Sequence, residues 1–254
     1  MLDDHTAARL FSLAGKVALI TGGAGGIAKG FAAAGAELVL ADRDPRVEER
    51  AADFRKDGAD VTAMTFDVTD TAAVSKALGD IVATKRRLDI VVNNAAVIVR
   101  KPLLQLSLDE WRKVIDVDLT ACFDIAQQAA RIMVGQGSGR IINMSSIMNQ
   151  VSRPNLVPYV TAKGGIAAMT RALATDLAGT GVTVNALAPG YTVTEFSQAN
   201  NKEFHDFVRD WTPARRWGKP EDLCGPALLL ASDAGAYING HVLYVDGGFL
   251  AATR

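Results

Sequence analysis

The sequence predicts a single-domain α/β protein over residues 1–254: a doubly wound parallel sheet of about seven strands, with helices on both faces. Three observations predict this fold. Seven short runs rich in Val, Ile and Leu alternate with helical patterns, at residues 17–21, 37–41, 61–66, 89–92, 139–144, 181–187 and 241–245. The runs are apolar at nearly every position, as strands covered on both faces are. The length of 254 residues suits one α/β unit, and no linker or internal repeat divides it.

The composition excludes several classes of function. Hydrophobic residues make up 49% of the chain and the net charge is -1 without a long block of either sign, which argues against nucleic acid and membrane surfaces as partners. The amino-terminal residues are mixed and acidic, and no apolar run is long enough to span a bilayer, so we expect a cytoplasmic protein. The isolated Cys122 and Cys224 predict idle thiols in a reducing compartment. The scattered His5, His205 and His241 predict no metal site.

A glycine-rich turn follows the first strand, in Thr21-Gly22-Gly-Ala-Gly-Gly26-Ile27-Ala28. Glycines allow the positive φ that such a turn needs and let backbone N–H groups approach a pyrophosphate at the helix N-terminus. A plain tight turn is the alternative. Because a strand precedes the turn, a helix follows and an acid lies downstream, we predict a dinucleotide phosphate site at Gly22, Gly26 and Ile27.

Asp42 is that downstream acid, at the end of the second strand. A carboxylate at this position accepts from both ribose hydroxyls of a dinucleotide and repels a 2′-phosphate, which predicts NAD as the cofactor. NADP remains open, since the neighbouring Arg43 carries a guanidinium that pairs well with phosphate. A turn-forming aspartate before Pro45 is compatible with either cofactor.

The third and fourth predicted strands end in short side chains. Asp67 and Val68 follow the third, and Asn93-Asn94-Ala95 follows the fourth. Short side chains at the carboxyl end of a strand leave room for a flat ring, while amides hold backbone across the switch point of the sheet. We therefore predict cofactor contacts at Asp67, Val68, Asn93 and Ala95, although asparagines are also ordinary turn residues.

Ser146, Tyr159 and Lys163 are the predicted catalytic residues. Ser146 follows the buried run 140–144, so its hydroxyl is expected at the carboxyl edge of the sheet, where ligands bind. Tyr159 and Lys163 are four residues apart in a helical pattern and share one helix face. An ammonium within about 4 to 6 Å favours the phenolate and lowers the pKa of a tyrosine, which makes Tyr159 a usable acid or base. Taken alone, the pair is also compatible with a solvated surface helix.

A rigid turn ends the sixth predicted strand at Pro189-Gly190 and leads to the hydroxyl side chains of Thr192 and Thr194. Such a turn presents backbone and hydroxyl groups to a nicotinamide carboxamide. These four residues are therefore predicted cofactor contacts, and a plain strand exit is the alternative.

The next stretch, residues 195–217, carries several aromatic residues among charges and lacks a strand pattern. We expect two short helices there, as part of a mobile lid over residues 191–217 that covers the substrate cleft. Core packing accounts equally well for any one of the aromatic residues.

Together these motifs resemble the short-chain dehydrogenase/reductase family across nearly the whole chain. The specific part is their order: Thr21-Gly22 with Gly26, Asn93-Asn94-Ala95, Ser146, Tyr159 with Lys163, Asn185 with Pro189-Gly190, and Val245-Asp246-Gly247-Gly248. The resemblance implies a Rossmann-type fold, a homotetramer, and hydride transfer between a nicotinamide cofactor and a carbinol or carbonyl carbon. It implies Tyr159 as the proton donor or acceptor and Ser146 as the group that polarises the substrate oxygen. It also implies that Lys163 holds the nicotinamide ribose and depresses the pKa of Tyr159.

Within this family, the chain is most similar to sugar-acid and polyol members such as gluconate 5-dehydrogenase and 2-keto-3-deoxygluconate dehydrogenase. A polyhydroxy acid needs a cation, and Arg100 resembles an arginine that those members carry after the Asn93 loop. Arg153, between Ser146 and Tyr159, is placed to reach the same cleft. The resemblance therefore implies a sugar acid or polyol as substrate, with a 3-oxoacyl thioester as the alternative. For each arginine, a solvated surface position is the alternative.

Two departures from the family pattern bear on activity. Asp118 stands where most members have an active-site asparagine, and an ionised aspartate accepts from Lys163 or a water but does not donate. We expect activity to survive this change. Ala28 replaces the third glycine, and the segment from Gly26 to Gly35 is about one helical turn shorter than in the family. A second hypothesis is therefore a binding or regulatory protein that keeps the fold but holds its cofactor poorly.

Overall fold

The computed structural model describes residues 8–23, 25–194, 197 and 201–253. Seven parallel strands form one sheet in the order β3-β2-β1-β4-β5-β6-β7. Their bounds are β1 Val17–Thr21, β2 Glu37–Asp42, β3 Val61–Thr65, β4 Ile90–Asn93, β5 Gly139–Met144, β6 Val182–Pro189 and β7 Val242–Val245. Every predicted run is a strand whose ends differ by at most two residues, so the predicted doubly wound α/β fold is confirmed.

Helices connect the strands and cover both faces of the sheet. They are α1 Gly25–Ala33, α2 Val47–Lys56, α3 Thr71–Lys85, α4 Leu108–Ile115, α5 Ala121–Gln136, α6 Val157–Asp176, α7 Lys202–Trp211 and α8 Cys224–Ala231. A π-helical segment, Asp116–Thr120, joins α4 to α5. Among the described helices, none is both long and apolar enough to cross a membrane. Since β1 lies between β2 and β4, the crevice outside the carboxyl ends of β1 and β4 is the expected ligand site.

Two apolar cores lie on opposite faces of the sheet. One contains Phe31 of α1 and Ile20 of β1, and the other contains Met133 of α5 and Leu19 of β1. Ile20 and Leu19 are neighbours in sequence, and successive side chains of a strand point to opposite faces. Both faces of the strands are therefore buried, which explains why the strand sequences are apolar at nearly every position.

Helix α1 has nine residues, and it is anchored despite being short. Ala28 and Phe31 are fully excluded from solvent. Gly26 lies against the backbone of Pro220 so closely that a Cβ at Gly26 would overlap with it. Cys224 Sγ donates a hydrogen bond to Gly26 O at 2.8 Å. The first turn of α1 is therefore held by the segment that begins α8, and the methyl group of Ala28 is accommodated in the core.

The segment predicted as a lid contains the helix α7 in its described part. Glu195 and Phe196, with which the stretch begins, lie outside the described residues. An aromatic cluster is formed by Tyr191, Phe204, Phe207, Trp211, Trp217 and Phe249. This aromatic cluster joins α7 to the strand exits of β6 and β7.

Candidate active site

The glycine-rich turn after β1 is fixed to the end of β4 by hydrogen bonds. Thr21 Oγ1 accepts from the backbone N–H groups of Asn94 and Ala95, each at 3.1 Å. Asn94 Nδ2 donates to the carbonyl oxygens of Thr21 and Gly22, at 3.0 and 2.9 Å. A Cβ at Gly22 would overlap with the backbone of Ala95, so only glycine fits there. The turn and the end of β4 therefore form one fixed edge of the crevice.

Asn93 uses its side chain inside the protein. It is 1% exposed, and its Nδ2 donates to Asn143 Oδ1 at 2.9 Å and to Cys122 O at 3.3 Å. These bonds link β4 to β5 and α5. The Nδ2 group of Asn93 is therefore engaged inside the protein.

Asp67 and Val68 follow β3 at the same edge of the sheet. Asp67 Oδ1 accepts from Thr69 N at 2.9 Å and from Thr69 Oγ1 at 2.7 Å. These two hydrogen bonds hold the pKa of the Asp67 carboxyl below its usual value. The Val68 side chain is buried in the core. The loop after β3 is therefore ordered by its own side chains.

Asp42 ends β2 next to the glycine-rich turn. Its Oδ1 accepts from Asp44 N at 3.0 Å, and its Oδ2 lies 3.7 Å from Nη1 of Arg50 on α2. Both carboxylate oxygens thus have partners within the chain. The sequence indicates Arg43 as the cation next to Asp42, whereas the structure shows Arg50 paired with it.

The exit of β6 is held in place by a neighbouring loop. Pro189 is the last residue of β6, and Gly190 approaches the turn after β7 too closely for a side chain. Thr192 forms a parallel bridge with Gly218, whereas Thr194 is exposed. The predicted cofactor positions here therefore lie on a strand exit that Gly218 fixes, with Thr194 at its solvent side.

Ser146 lies two residues beyond β5 and caps a short 3-10 helix, Ile147–Asn149. Its Oγ accepts from Met148 N at 3.2 Å, and the residue is 8% exposed. This contact uses a lone pair of the hydroxyl oxygen and fixes its position. The hydroxyl proton is then left for donation to a ligand.

Tyr159 and Lys163 lie in the first turns of α6, on the shared face that their spacing predicted. The Tyr159 ring packs against an apolar cluster that includes Ile147, the residue after Ser146. The fold therefore brings Tyr159 and Ser146 to the same region although they come from different elements. Lys163 Nζ lies 5.4 Å from the centre of the Tyr159 ring.

The ammonium group of Lys163 is paired inside the protein. Nζ donates to Met144 O at 3.0 Å and lies 3.3 Å from Asp118 Oδ2, while Asp118 Oδ1 accepts from Val97 N at 2.7 Å. Burial raises the pKa of the Asp118 carboxyl. Burial lowers the pKa of Lys163, but the neighbouring Asp118 carboxyl contributes to a net rise in that pKa. Lys163 therefore has a counter-ion that does not depend on any ligand.

The two predicted substrate arginines lie on adjoining loops. Lys101 N donates to Asn155 O at 3.0 Å, which joins the loop after β4 to the loop before α6. Arg153 Cζ lies 3.7 Å from the centre of the Phe204 ring, a cation–π contact with the aromatic cluster. Burial lowers the pKa of Arg100, and the neighbouring charge of Arg153 lowers it further. Arg100 is exposed and Arg153 is half-buried, and two like charges that act on each other favour an anionic ligand.

Comparison with known proteins assigns this arrangement to a family. Residues 18–250 match the family model described as enoyl-(acyl carrier protein) reductase. The chain belongs to the short-chain dehydrogenase/reductase family. It is 36% identical over 251 residues to 2-dehydro-3-deoxy-D-gluconate 5-dehydrogenase of Formosa agariphila, covering 95% of each protein. It is 39% identical over 246 residues to gluconate 5-dehydrogenase of Gluconobacter oxydans, covering 94% of this chain and 96% of that protein.

The similarity extends to solved structures. A gluconate 5-dehydrogenase from Burkholderia cenocepacia J2315, crystallised in complex with NADP and tartrate, has a TM-score of 0.93 and 39% identity to this chain. The match covers 97% of this chain and 100% of that one. The resemblance to sugar-acid members of the short-chain dehydrogenase/reductase family is therefore confirmed.

Short-chain dehydrogenase/reductases use NAD or NADP, and the residues of this chain fit such a cofactor. Gly22 and Gly23 have φ angles of +75° and +57°, a conformation that residues with side chains rarely adopt. Helix α1 begins at Gly25, directly after this turn, and the first N–H groups of a helix lack partners within it. The crevice thus offers a small-residue turn and a helix N-terminus where a pyrophosphate needs them.

Several groups that shape the site were missed from sequence. Asn94 is an exception, because its amide holds the backbone of Thr21 and Gly22 as the sequence predicted for amides at this strand end. The contact of Arg153 with Phe204 joins residues 51 positions apart, and no local pattern marks it. Arg50 lies in a charged helix whose pattern is that of a solvated face. Such contacts depend on how the helices pack relative to the edge of the sheet. The hydrophobic periodicity of the sequence does not contain this information.

Proposed function

We propose that this protein is an NADP-dependent oxidoreductase that interconverts the secondary alcohol and the ketone of a sugar acid. The observation that carries the proposal is that Tyr159 packs against the cluster containing Ile147, the residue after Ser146, while the paired Lys163 lies one helical turn along α6. Relatives named for activity on gluconate and 2-dehydro-3-deoxygluconate support the sugar-acid substrate class.

Tyr159 is the proposed general acid and base. During alcohol oxidation its oxygen takes the hydroxyl proton of the substrate, and during ketone reduction it returns that proton. Ser146 donates a hydrogen bond to the same substrate oxygen, because its own oxygen is already held by Met148 N. Lys163 lies one helical turn from Tyr159, with its Nζ 5.4 Å from the centre of the tyrosine ring. The bound nicotinamide supplies or accepts the hydride.

Arg153 and Arg100 are the proposed partners of the substrate carboxylate. Arg153 Cζ lies 3.7 Å from the centre of the Phe204 ring, and a guanidinium carries five N–H donors, which suit a carboxylate. Phe204 belongs to α7, within the proposed lid over residues 191–217. An acid bound to Arg153 is therefore also in contact with the lid, which couples substrate charge to closure of the site.

NADP is the proposed cofactor, in place of the NAD expected from Asp42 alone. Three structurally similar proteins, from Burkholderia cenocepacia, Beutenbergia cavernae and Agrobacterium tumefaciens, contain NADP. In this chain the Asp42 carboxylate lies 3.7 Å from Arg50, so its repulsion of a 2′-phosphate is reduced. The anchoring of α1 through Gly26 and Cys224 favours cofactor binding over the alternative of an impaired, non-catalytic member.

A homotetramer and a cytoplasmic location are further proposals, and both come from the family. Light scattering of the purified protein tests the first. A monomer at working concentration would contradict it. Fractionation of the native host tests the second.

A substrate screen tests the proposed function. Purified protein is incubated with NADP or NAD and with gluconate, 2-dehydro-3-deoxygluconate, uncharged polyols or 3-oxoacyl thioesters, while the absorbance of the reduced nicotinamide is followed. We expect turnover of a sugar acid with NADP, and weaker or no turnover of the polyol with the same carbon skeleton. Preferential turnover of the thioesters would contradict the proposed substrate class, and turnover of none would contradict the enzyme assignment.

A further inference from the structure

Arg50 reaches from α2 back to the glycine-rich turn. Its Nη1 lies 3.7 Å from Asp42 Oδ2, and a Cβ at Gly23 would overlap with Nη1 and come within 3.0 Å of Asp42 Oδ2. The guanidinium therefore rests on Gly23, in the volume that a side chain at that position would take. Gly23 has a φ of +57°, so the same glycine provides both the turn and the space for Arg50.

Asp42 is constrained by this arrangement. Its Oδ1 accepts from Asp44 N at 3.0 Å, and its Oδ2 faces Arg50. A ribose 2′-hydroxyl would therefore meet a carboxylate that is already engaged, while a 2′-phosphate would meet a guanidinium next to it. Asp42 is 19% exposed and Arg50 is 37% exposed, so the corner is accessible to a ligand.

Arg43 is the arginine that follows Asp42 directly in the chain. Its charge contributes to the lowered pKa of Asp67, after the two hydrogen bonds from Thr69. Arg43 is therefore near the loop after β3, whereas Arg50 is on the turn after β1. The cation in contact with the glycine-rich turn is therefore Arg50.

We propose that Arg50 is the residue of this chain that selects NADP over NAD, by binding the phosphate on the adenosine 2′-oxygen with its guanidinium. This inference rests on the proposed nicotinamide-dependent function and adds the residue that sets cofactor choice. Guanidinium groups bind phosphate through two parallel hydrogen bonds, an arrangement that a lysine ammonium does not reproduce. Asp42 then serves as the group that positions Arg50 before the cofactor binds.

Binding measurements test this assignment without turnover. The affinities of the wild-type protein and of Arg50→Ala for NADP, NAD, adenosine 2′,5′-bisphosphate and adenosine 5′-monophosphate are measured by titration calorimetry. We expect Arg50→Ala to weaken binding of both 2′-phosphorylated ligands by about 10-fold to 100-fold, the scale of a lost charge-assisted hydrogen bond pair. Binding of NAD and of the monophosphate is expected to change by less than about 3-fold, since they lack the 2′-phosphate.

Matched variants separate Arg50 from general charge effects. Arg50→Lys is expected to keep part of the NADP preference, and Arg43→Ala to lose less of it than Arg50→Ala. Lys76→Ala removes an exposed charge on α3 and is expected to change the affinity for neither NADP nor NAD. Circular dichroism and thermal unfolding confirm that each variant is folded.

The outcomes are distinguishable. If the wild-type protein binds NADP and Arg50→Ala changes NADP and NAD affinity equally, the Arg50 assignment is wrong while the proposed function stands. A greater loss of selectivity in Arg43→Ala than in Arg50→Ala, or wild-type preference for NAD, would also overturn it. If the wild-type protein binds neither dinucleotide, both the proposed function and the Arg50 assignment are overturned.

Discussion

Lys163 Nζ lies 3.3 Å from Asp118 Oδ2, and the two side chains are only 3% and 0% exposed. The pair forms because the π-helical segment Asp116–Thr120 turns Asp118 toward α6, where Val97 N holds its other oxygen at 2.7 Å. Asp118 therefore places a carboxyl group beside the buried lysine. Both charges are desolvated, and each therefore depends on the other.

Removing one member of this pair is expected to be costly. Asp118→Ala leaves an unpaired buried ammonium and is expected to lower the free energy of unfolding by about 3 to 5 kcal/mol in urea titrations. Asp118→Asn keeps an acceptor for Val97 N, so its effect should be smaller. The double variant Asp118→Asn with Lys163→Met is expected to lose less free energy of unfolding than the two single variants lose together. Strictly additive losses would show that the two side chains do not interact.

Arg153 is expected to control selectivity for acids. Arg153→Ala should raise KM for gluconate by about 10-fold to 100-fold, because a charge-assisted bond to the carboxylate is lost. KM for glucitol, which has no carboxylate, should change by less than about 3-fold. Phe204→Leu keeps an apolar contact but removes the ring beneath the guanidinium, so we expect a smaller change in the same direction. Equal effects on gluconate and glucitol would place Arg153 outside the carboxylate site.

The pH dependence of stability is expected to report on Asp89, which lies before β4. Burial alone raises the pKa of its carboxyl, but hydrogen bonds from Arg87 and Val17 N outweigh burial and hold that pKa below its usual value. A carboxyl whose pKa is lower in the folded state than in the unfolded state stabilises the fold. This stabilisation is fully present at a pH above the unfolded-state pKa of about 3.9, and it is lost as the pH falls through the folded-state pKa.

Asp89→Asn should therefore destabilise the protein by about 1 to 3 kcal/mol near neutral pH, with a difference from wild type that shrinks in acid. Chemical unfolding at a series of pH values measures this. Asp53→Asn, at an exposed position on α2, serves as the control and should change stability little. A difference for Asp89→Asn that is the same at acid and neutral pH would contradict the assignment.

The strands and their edge were predictable because each depends on short-range chemistry. Val17–Thr21 is apolar on both faces, and the glycines after it fit a sharp turn into a helix, so the strand and the crevice follow from local sequence. Tyr159 and Lys163 were predictable for the same reason, since four residues make one helical turn. The sheet order then places these separate motifs at one edge.

Contacts between distant elements were not predictable in this way. Asp118 was expected to accept from Lys163, but its charge pairing depends on the π-helical segment, which the sequence did not indicate. The position of Arg50 on Gly23 depends on the angle at which α2 returns to the sheet. An acidic residue at the end of the second strand predicts NAD, because its carboxylate repels a 2′-phosphate. This prediction does not consider Arg50, which lies on the following helix and is 3.7 Å from the Asp42 carboxylate.

The central claim is that Tyr159 transfers the proton while the nicotinamide transfers the hydride. The most direct test measures single-turnover oxidation of gluconate, together with NADP affinity, in Tyr159→Phe. Tyr237→Phe, which changes a fully exposed tyrosine, is the matched control. We expect Tyr159→Phe to bind NADP with little change and to oxidise gluconate about 10²-fold to 10⁴-fold more slowly, while Tyr237→Phe matches wild type. A Tyr159→Phe rate within about 3-fold of wild type would contradict the claim.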